Sequence, residues 1–529
     1  MIARAGMVVA LALCAGAARA QLTSLATERT NYVLLLGKDT LGLERVQRTP
    51  GRFEGELMVK VGGVRVRYDG DVDATGLVTR VRLLSSRLNT TDTSVYQVAE
   101  MWFAGDSMRA DITPRGGTTV HQARPIARGA LPYLNPSGFF LELAVRRALV
   151  MGGDSVTFPS LQTAGGAVVP MTVLRTARDS VRLLVGQGVM TIALSREARL
   201  VGALEARQGF RIVSVDHELA MTSERPDYSA PAGAPYTAEE VVVTTRDGLH
   251  LSGTLTLPRV KGGVKVPAVV TLTGSGPEDR DEYIPAVSGY RPFRTLADSL
   301  SRRGIAVLRL DDRGVGGSDA GPATATTQDF ADDAVAALEW LRHRPEVDGR
   351  RLALLGHSEG GMTAPLAVVK DPRVKAIVLM APPGMLGQKI LDYQVRHPIE
   401  LDTSLSAARR DSLIAAGNRS IAESAAHNPW LRFLLDYDPA PTAKKVRVPV
   451  LIVQGATDRQ VTAEQAAMLA RAFRAGGNRD VTVKIFPATN HLFLADSSGE
   501  GAGYAALPVH TVRPEVVGTV VEWLVKRLR

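Results

Sequence analysis

The 529-residue sequence predicts two folded units of different class: a β-rich N-terminal unit, then an α/β unit with a mostly parallel sheet and a helical insertion. Three observations carry this. Between residues 55 and 205, short apolar–polar alternations recur between turns containing Gly or Asp, the period-two pattern of antiparallel strands with one solvated face. Beyond residue 239 strands alternate with helical segments, and the runs 306–310 and 376–380 are almost wholly apolar, as strands covered on both faces by helices must be. Between these regions, residues 223–235 are rich in Pro, Ala and Ser, and Pro226, Pro231 and Pro235 stiffen them into a linker.

From the N-terminus onward, residues 1–20 read as a signal peptide. Arg4 precedes the apolar stretch 7–16, and Ala18-Arg19-Ala20 has the small-x-small form of a cleavage site. Cleavage after Ala20 makes Gln21 the mature terminus, and the protein is expected to be exported, periplasmic or secreted. Two alternatives stay open: an uncleaved anchor, for which the run is short, and lipidation at Cys14, against which stands the bulky Leu13. Cys14 is the single cysteine, so a cleaved chain has no disulfide, thiol nucleophile or thiolate metal site. No later apolar run free of charge approaches 18 residues, and no stable membrane insertion is expected.

Lys and Arg number 63 against 54 acids, a net charge of +9 that falls to +7 once Arg4 and Arg19 are removed. The charges are interleaved and aromatics make up 5%, so there is neither a phosphate-tracking stripe nor a stacking platform, and no nucleic-acid partner is expected. With 45% hydrophobic and 22% charged residues the chain can build ordered cores.

The β-rich domain is expected over 21–222. A helix is predicted over 22–36, strands near 55–61, 64–70, 77–83, 95–103, 107–113, 117–123, 167–173, 180–185, 189–194 and 199–205, and a helix over 138–152. His121 and His217 are isolated and read as surface or core-edge residues. A linker over 223–238 leads to the α/β domain at 239–529. There, strands 239–245 and 249–257 flank the turn Asp247-Gly248, and strand 267–273 follows. Helix 293–303, strand 305–310, helix 327–342, strand 351–355, helix 359–368 and strand 374–380 come next, and strand 450–453, helix 463–473, strand 481–486 and helix 515–528 close the chain. The interruption at 381–445 is too long for a loop and carries helical pattern at 404–417 and 422–435; at the carboxyl ends of the strands it is placed to be a lid.

The strongest chemical signal is Gly356-His357-Ser358-Glu359-Gly360-Gly361, between a strand and a helix as a Gly-x-Ser-x-Gly nucleophile elbow requires. The turn excludes side chains at Gly356 and Gly360 and throws the Ser358 hydroxyl clear of the sheet. A serine needs a base, and the base an orienting acid. His491 follows strand 481–486, and Asp458 follows strand 450–453, both where they can converge on Ser358; Asp438, before Pro439, is the competing acid. The Glu359 amide is the first expected oxyanion donor, and the amide of Ser275 or Gly276, in the loop from Gly274 to Glu282, is the second. In that loop Asp279, Arg280 and Asp281 are read as ion-pair locks, with direct contact to substrate as the alternative. Trp430, Phe433, Leu434 and Tyr437 recur at helical spacing, either as core of the insertion or as a candidate acyl pocket above Ser358. Gly314, Gly316 and Gly317 do not make a dinucleotide fingerprint, because Asp319 stands where the third glycine belongs, and no phosphate-loop motif or metal-ligand cluster is present in the sequence.

Residues 240–529 resemble the α/β-hydrolase superfamily, in particular serine esterases near its dienelactone-hydrolase and serine-aminopeptidase-like branches. The resemblance rests on the loop from Gly274 to Glu282, on Arg309-Leu310-Asp311-Asp312-Arg313-Gly314, on the Ser358 motif and on the segment from Trp430 to Pro439. It implies an α/β-hydrolase fold with a helical lid, with Ser358, Asp458 and His491 as catalytic triad. The family's histidine before the oxyanion-loop glycine is absent: Leu272-Thr273 stand there. The expected function is hydrolysis of a small-molecule carboxylic ester, with short-chain acyl esters as the expected substrates and with no cofactor and no metal. A peptidase or amidase on the same triad is the first alternative, and a non-catalytic envelope binding protein with a degenerate hydrolase domain the second.

Overall fold

The computed structural model describes residues 27–529 except 61–62, 74–75, 89–94, 115–116, 164–165, 186–187, 207–208, 223–225, 261, 285–286 and 323. The expected signal peptide, Cys14 and Gln21 lie outside the described residues. The chain divides into two compact units between residues 224 and 225.

The first unit is one sheet of 15 strands. From the edge strand Val120–Pro125, sequential hairpins run back to Glu28–Leu36; this strand pairs with Phe210–Val215, from which the order descends to Leu131–Tyr133 at the other edge. The pairing is antiparallel except that Leu131–Tyr133 runs parallel to Ser155–Gln162. The helix expected over 22–36 is corrected: its described part is the strand Glu28–Leu36, with Tyr32 and Leu34 fully buried and alternate residues less so. Thr30, Tyr32 and Val33 favour a pleated surface, and the strand is held on both sides, Asn31 opposite Arg45 and Val215. Four strands were not predicted: Asp39–Thr49, Leu131–Tyr133, Ser155–Gln162 and Phe210–Val215.

The helix Gly138–Met151 packs into this unit's core, where Phe53 and Phe139 have ring centroids 4.9 Å apart. Its first amides are held by the buried Glu44 carboxylate, which accepts from Gly138 N at 2.8 Å and from Tyr68 Oη at 2.7 Å. A helix N-terminus is a natural seat for a carboxylate, because its amides lack partners and its dipole is positive there.

In the second unit, β1 (Tyr236–Thr244), β2 (His250–Pro258), β3 (Val266–Leu272), β4 (Ala306–Leu310), β5 (Val347–His357), β6 (Ala376–Met380), β7 (Val450–Gly455) and β8 (Val481–Phe486) form one sheet in the order β1-β2-β4-β3-β5-β6-β7-β8. β1 begins at Tyr236, inside the stretch read as linker, because it pairs with β2 from Tyr236↔Pro258 onward. β1 and β2 are antiparallel, β2 meets β4 antiparallel, and the rest run parallel. The sheet is flanked by α1 (Pro292–Ser301), α2 (Thr327–Arg342), α3 (Gly360–Lys370), and, after the insertion, α8 (Glu464–Ala475) and α9 (Pro514–Leu528). The insertion between β6 and β7 folds as α4 (Gly387–Leu401), α5 (Ala407–His427), α6 (Pro429–Asp436) and α7 (Pro439–Ala443).

Local chemistry sets these limits. Thr326 and Asp329 form a capping box at the start of α2, whose Ala331, Ala334, Leu338 and Leu341 form its buried stripe. Asn428 accepts from Leu431 N at 3.1 Å to start α6, and Asp438 caps α7 from Ala440 N at 2.9 Å, each before a proline at the first helical position. The whole is an α/β-hydrolase core with a lid insertion, preceded by a separate β-rich unit.

Candidate active site

β5 ends at His357, and Ser358 turns the chain sharply into α3. The Ser358 backbone sits at φ 52°, a left-handed conformation that costs a non-glycine residue about 1–3 kcal/mol. It is held by its own amide donating to Met380 O at 2.9 Å and by Gly361 N donating to Ser358 O at 2.9 Å. Glycine is required on both sides: a Cβ at Gly356 would lie 2.0 Å from Gly360 O, and one at Gly360 2.1 Å from Leu272 O.

The structure brings Ser358, His491 and Asp458 together. His491 Nε2 is 3.1 Å from Ser358 Oγ, and His491 Nδ1 is 2.8 Å from Asp458 Oδ2. Asp458 and His491 are buried, whereas Ser358 is half-buried. The Asp458 carboxylate is saturated. Oδ1 accepts from Gln460 N at 2.8 Å and Val461 N at 2.9 Å, and Oδ2 also takes the Gln454 side-chain amide at 2.8 Å. These donors fix the carboxylate plane toward His491. Asp438, the competing acid, is exposed and occupied as the cap of α7.

The loop after β3 carries Gly274, Ser275 and Gly276. The Gly274 amide is already taken, donating to Glu278 Oε2 at 2.8 Å and Glu282 Oε1 at 3.0 Å. An oxyanion donor from this loop therefore falls to Ser275 or Gly276. Arg280 locks the loop from beneath: it is 1% exposed and its guanidinium reaches Asp311 Oδ2 at 2.7 Å, Glu240 Oε1 at 2.9 Å and Thr254 Oγ1 at 2.7 Å. Asp281 pairs with the buried Arg309 and with Arg291. Burial pushes Glu278 well above the usual carboxylate range, and the nearby Glu282 and Asp312 push it further.

The lid reaches this site through Gln394, whose side-chain amide donates to Gln460 O at 3.1 Å, and through Trp430. Trp430 Nε1 donates to Glu359 Oε1 at 3.0 Å, and the same oxygen accepts from Thr327 Oγ1 at 2.6 Å. Burial raises Glu359 above its ordinary value, against hydrogen bonds from Thr327, Trp430 and the Ser275 hydroxyl. Of the four aromatic and aliphatic candidates, Trp430 alone is hydrogen-bonded to the nucleophile turn. Phe433 and Tyr437 stack with centroids 5.3 Å apart and pack on the helical core beside the sheet, while Leu434 O lies against Gly387, where a Cβ would come within 1.7 Å.

Sequence reasoning missed His357 and Glu282. His357 Nδ1 is 2.7 Å from Glu282 Oε1, and His357 Nε2 is 3.0 Å from His491 O. The only local sign was the position of His357 next to the motif serine. Among the described residues no three His, Cys, Asp or Glu side chains group to hold a metal ion, and no helix is long and apolar enough to cross a membrane.

The second unit is similar to known proteins. Residues 288–498 match the family described as serine aminopeptidase, S33. The esterase EstD of Thermotoga maritima is 29% identical over 314 residues, covering 57% of this chain and 70% of that protein. An uncharacterised protein of Mycobacterium tuberculosis is 31% identical over 295 residues, 55% of this chain and 79% of its own. The solved structure of a Pyrococcus furiosus esterase covers 57% of this chain and 96% of that one, at 17% identity and a TM-score of 0.41. The strand order, the serine turn, the family match over residues 288–498 and the 31%-identical relative together place the chain in the α/β-hydrolase superfamily, to which it belongs.

Proposed function

We propose that the protein hydrolyses carboxylic esters of small molecules, short acyl esters among them, through Ser358, His491 and Asp458, in the part of the superfamily that holds the dienelactone-hydrolase and serine-aminopeptidase-like enzymes. One observation carries the reading: a half-buried serine hydroxyl 3.1 Å from a histidine nitrogen whose other nitrogen is 2.8 Å from a saturated carboxylate. Ser358 Oγ attacks the acyl carbon as His491 Nε2 takes its proton. Asp458 holds the proton on Nδ1 and stabilises the imidazolium. The amides of Glu359 and of Ser275 or Gly276 face the oxyanion. Collapse releases the alcohol with the proton from His491, and a water deprotonated by His491 then frees the acid. The chemistry uses no cofactor.

The test is covalent labelling by a fluorophosphonate with the site located by peptide mass, followed by a panel of p-nitrophenyl esters and aminoacyl p-nitroanilides. Labelling at Ser358 with turnover of esters supports the reading, and turnover confined to anilides moves it to peptidase chemistry. That second reading is favoured by the match to a family described as serine aminopeptidase. Neither labelling nor turnover refutes both. We further propose export with cleavage after Ala20, which an intact mass retaining Cys14 would overturn.

A further inference from the structure

Ser358, the Gly274 loop and the His491 loop come from three different strand ends, yet one buried pair touches all three. His357 lies at the end of β5, immediately before Ser358. Its Nε2 faces a carbonyl, His491 O at 3.0 Å, so Nε2 carries a proton and donates it there. Its Nδ1 faces Glu282 Oε1 at 2.7 Å, and that same oxygen accepts from Gly274 N at 3.0 Å. Both side chains are almost wholly buried, and Glu282 Oε2 has no partner among the described residues. Glu282 also holds a left-handed backbone at φ 55°, which a non-glycine residue keeps only where its surroundings fix it.

We propose that Glu282 and His357 act as positioning residues, a proton-dependent clamp that ties the oxyanion loop and the His491 loop to the nucleophile turn. The proposal rests on Ser358 and His491 being the catalytic pair. The proton logic is elementary. With one proton fixed on Nε2, the contact between Nδ1 and Oε1 needs a second, carried by either atom. Remove it and two lone pairs oppose each other, so the clamp opens. Burial works to lower the His357 value, but the Glu282 carboxylate and its hydrogen bond more than offset this and hold it above the ordinary imidazole range. The clamp is therefore closed below that raised value and opens as pH rises through it. Other ionisable groups surround it. Glu278 shares the Gly274 amide, Asp458 lies behind His491, the His491 ring is 4.9 Å from the His357 ring, and the Tyr290 hydroxyl donates to Leu492 O at 3.0 Å.

The experiment is the pH dependence of kcat and KM for a p-nitrophenyl ester with the full chain, comparing wild type, Glu282→Gln, Glu282→Ala and His357→Ala. Glutamine donates to a neutral Nδ1 with a proton that does not titrate, while Gly274 N keeps Glu278 Oε2 as its acceptor. Glu282→Gln should thus move the alkaline fall in kcat upward by about one pH unit or more and recover activity about tenfold over Glu282→Ala. Both alanine variants should lose kcat about tenfold or more with KM changed less than about threefold, because the pair touches no substrate. An unmoved alkaline limb in Glu282→Gln, or His357→Ala with kcat within about twofold of wild type, overturns the clamp. If an alanine variant fails to fold by near-UV circular dichroism, the Glu282→Gln profile decides. Fluorophosphonate labelling separates the two levels: wild type labelled at Ser358 with an unmoved limb sinks only the clamp, whereas unlabelled wild type sinks the catalytic assignment beneath it.

Discussion

Replacing Asp458 by Asn changes one atom and should nearly silence the enzyme. The carboxylate oxygen Oδ1 is held by two backbone amides, Gln460 N and Val461 N, which demand an acceptor. An Asn side chain must therefore keep its oxygen there and turn its NH2 toward His491 Nδ1 and the Gln454 amide. His491 then accepts at Nδ1 and carries its proton on Nε2, aimed at Ser358 Oγ, so it cannot take the serine proton. Loss of the correct tautomer and of the charge facing the imidazolium corresponds to about 10³–10⁴ in kcat, or about 4–5.5 kcal/mol of barrier. The donor left facing the Gln454 amide should also lower unfolding stability by about 1–3 kcal/mol. Initial rates on p-nitrophenyl acetate, normalised by circular dichroism for folded protein, give kcat; KM should stay within about threefold. Retention of more than a tenth of wild-type kcat would refute the tautomer argument. A matching loss in Asp438→Asn would move the acid to Asp438; because Asn caps a helix as well as Asp does, that variant should otherwise behave as wild type.

The other expectations are briefer. Ser358→Ala should fold and lose fluorophosphonate labelling and most turnover, and Ser358→Ala/His491→Ala should be scarcely worse than either single change, since the two act as a unit; additive losses in kcat would mean the chemistry runs elsewhere. Trp430→Ala and Phe433→Ala should change the ratio of kcat/KM between acetyl and longer p-nitrophenyl esters; equal losses on every ester would leave both residues as packing alone. Arg280→Met strands the buried Asp311 carboxylate and should destabilise the second unit by about 3–5 kcal/mol in urea unfolding. Gly360→Ala forces a Cβ against Leu272 O and should abolish both labelling and a native melting transition.

What could be read in advance follows the range of the interactions. The turn at Ser358 is specified within six residues by glycines that nothing else can replace, and Asp458 and His491 announce themselves by lying just past apolar strands. The strand Glu28–Leu36 was misread because the run Val33-Leu34-Leu35-Leu36 hides the alternation, and because its partner Phe210–Val215 lies at the other end of the unit. Glu282 and His357 are 75 positions apart, Trp430 and Glu359 are 71 apart, and no local pattern links such pairs. A carboxylate in a Gly-, Asp- and Glu-rich loop looks solvated in sequence. Only the folded sheet shows that Glu282 is enclosed beneath the catalytic loops.

Glu359 divides its labour between main chain and side chain. Under the proposed mechanism the reaction asks only for an N–H at this position, and every residue but proline supplies one. The carboxylate serves different masters: Thr327 on α2, Ser275 on the oxyanion loop and Trp430 on the lid. The identity of the residue that follows the nucleophile is thus free to drift with the lid while the chemistry stays the same. Across relatives, positions 359 and 430 should change in concert, with an indole donor kept only where an acidic acceptor faces it. Exchange of one whole insertion for another between β6 and β7 would then need a matching residue at 359, a single compensating change outside the transplanted segment.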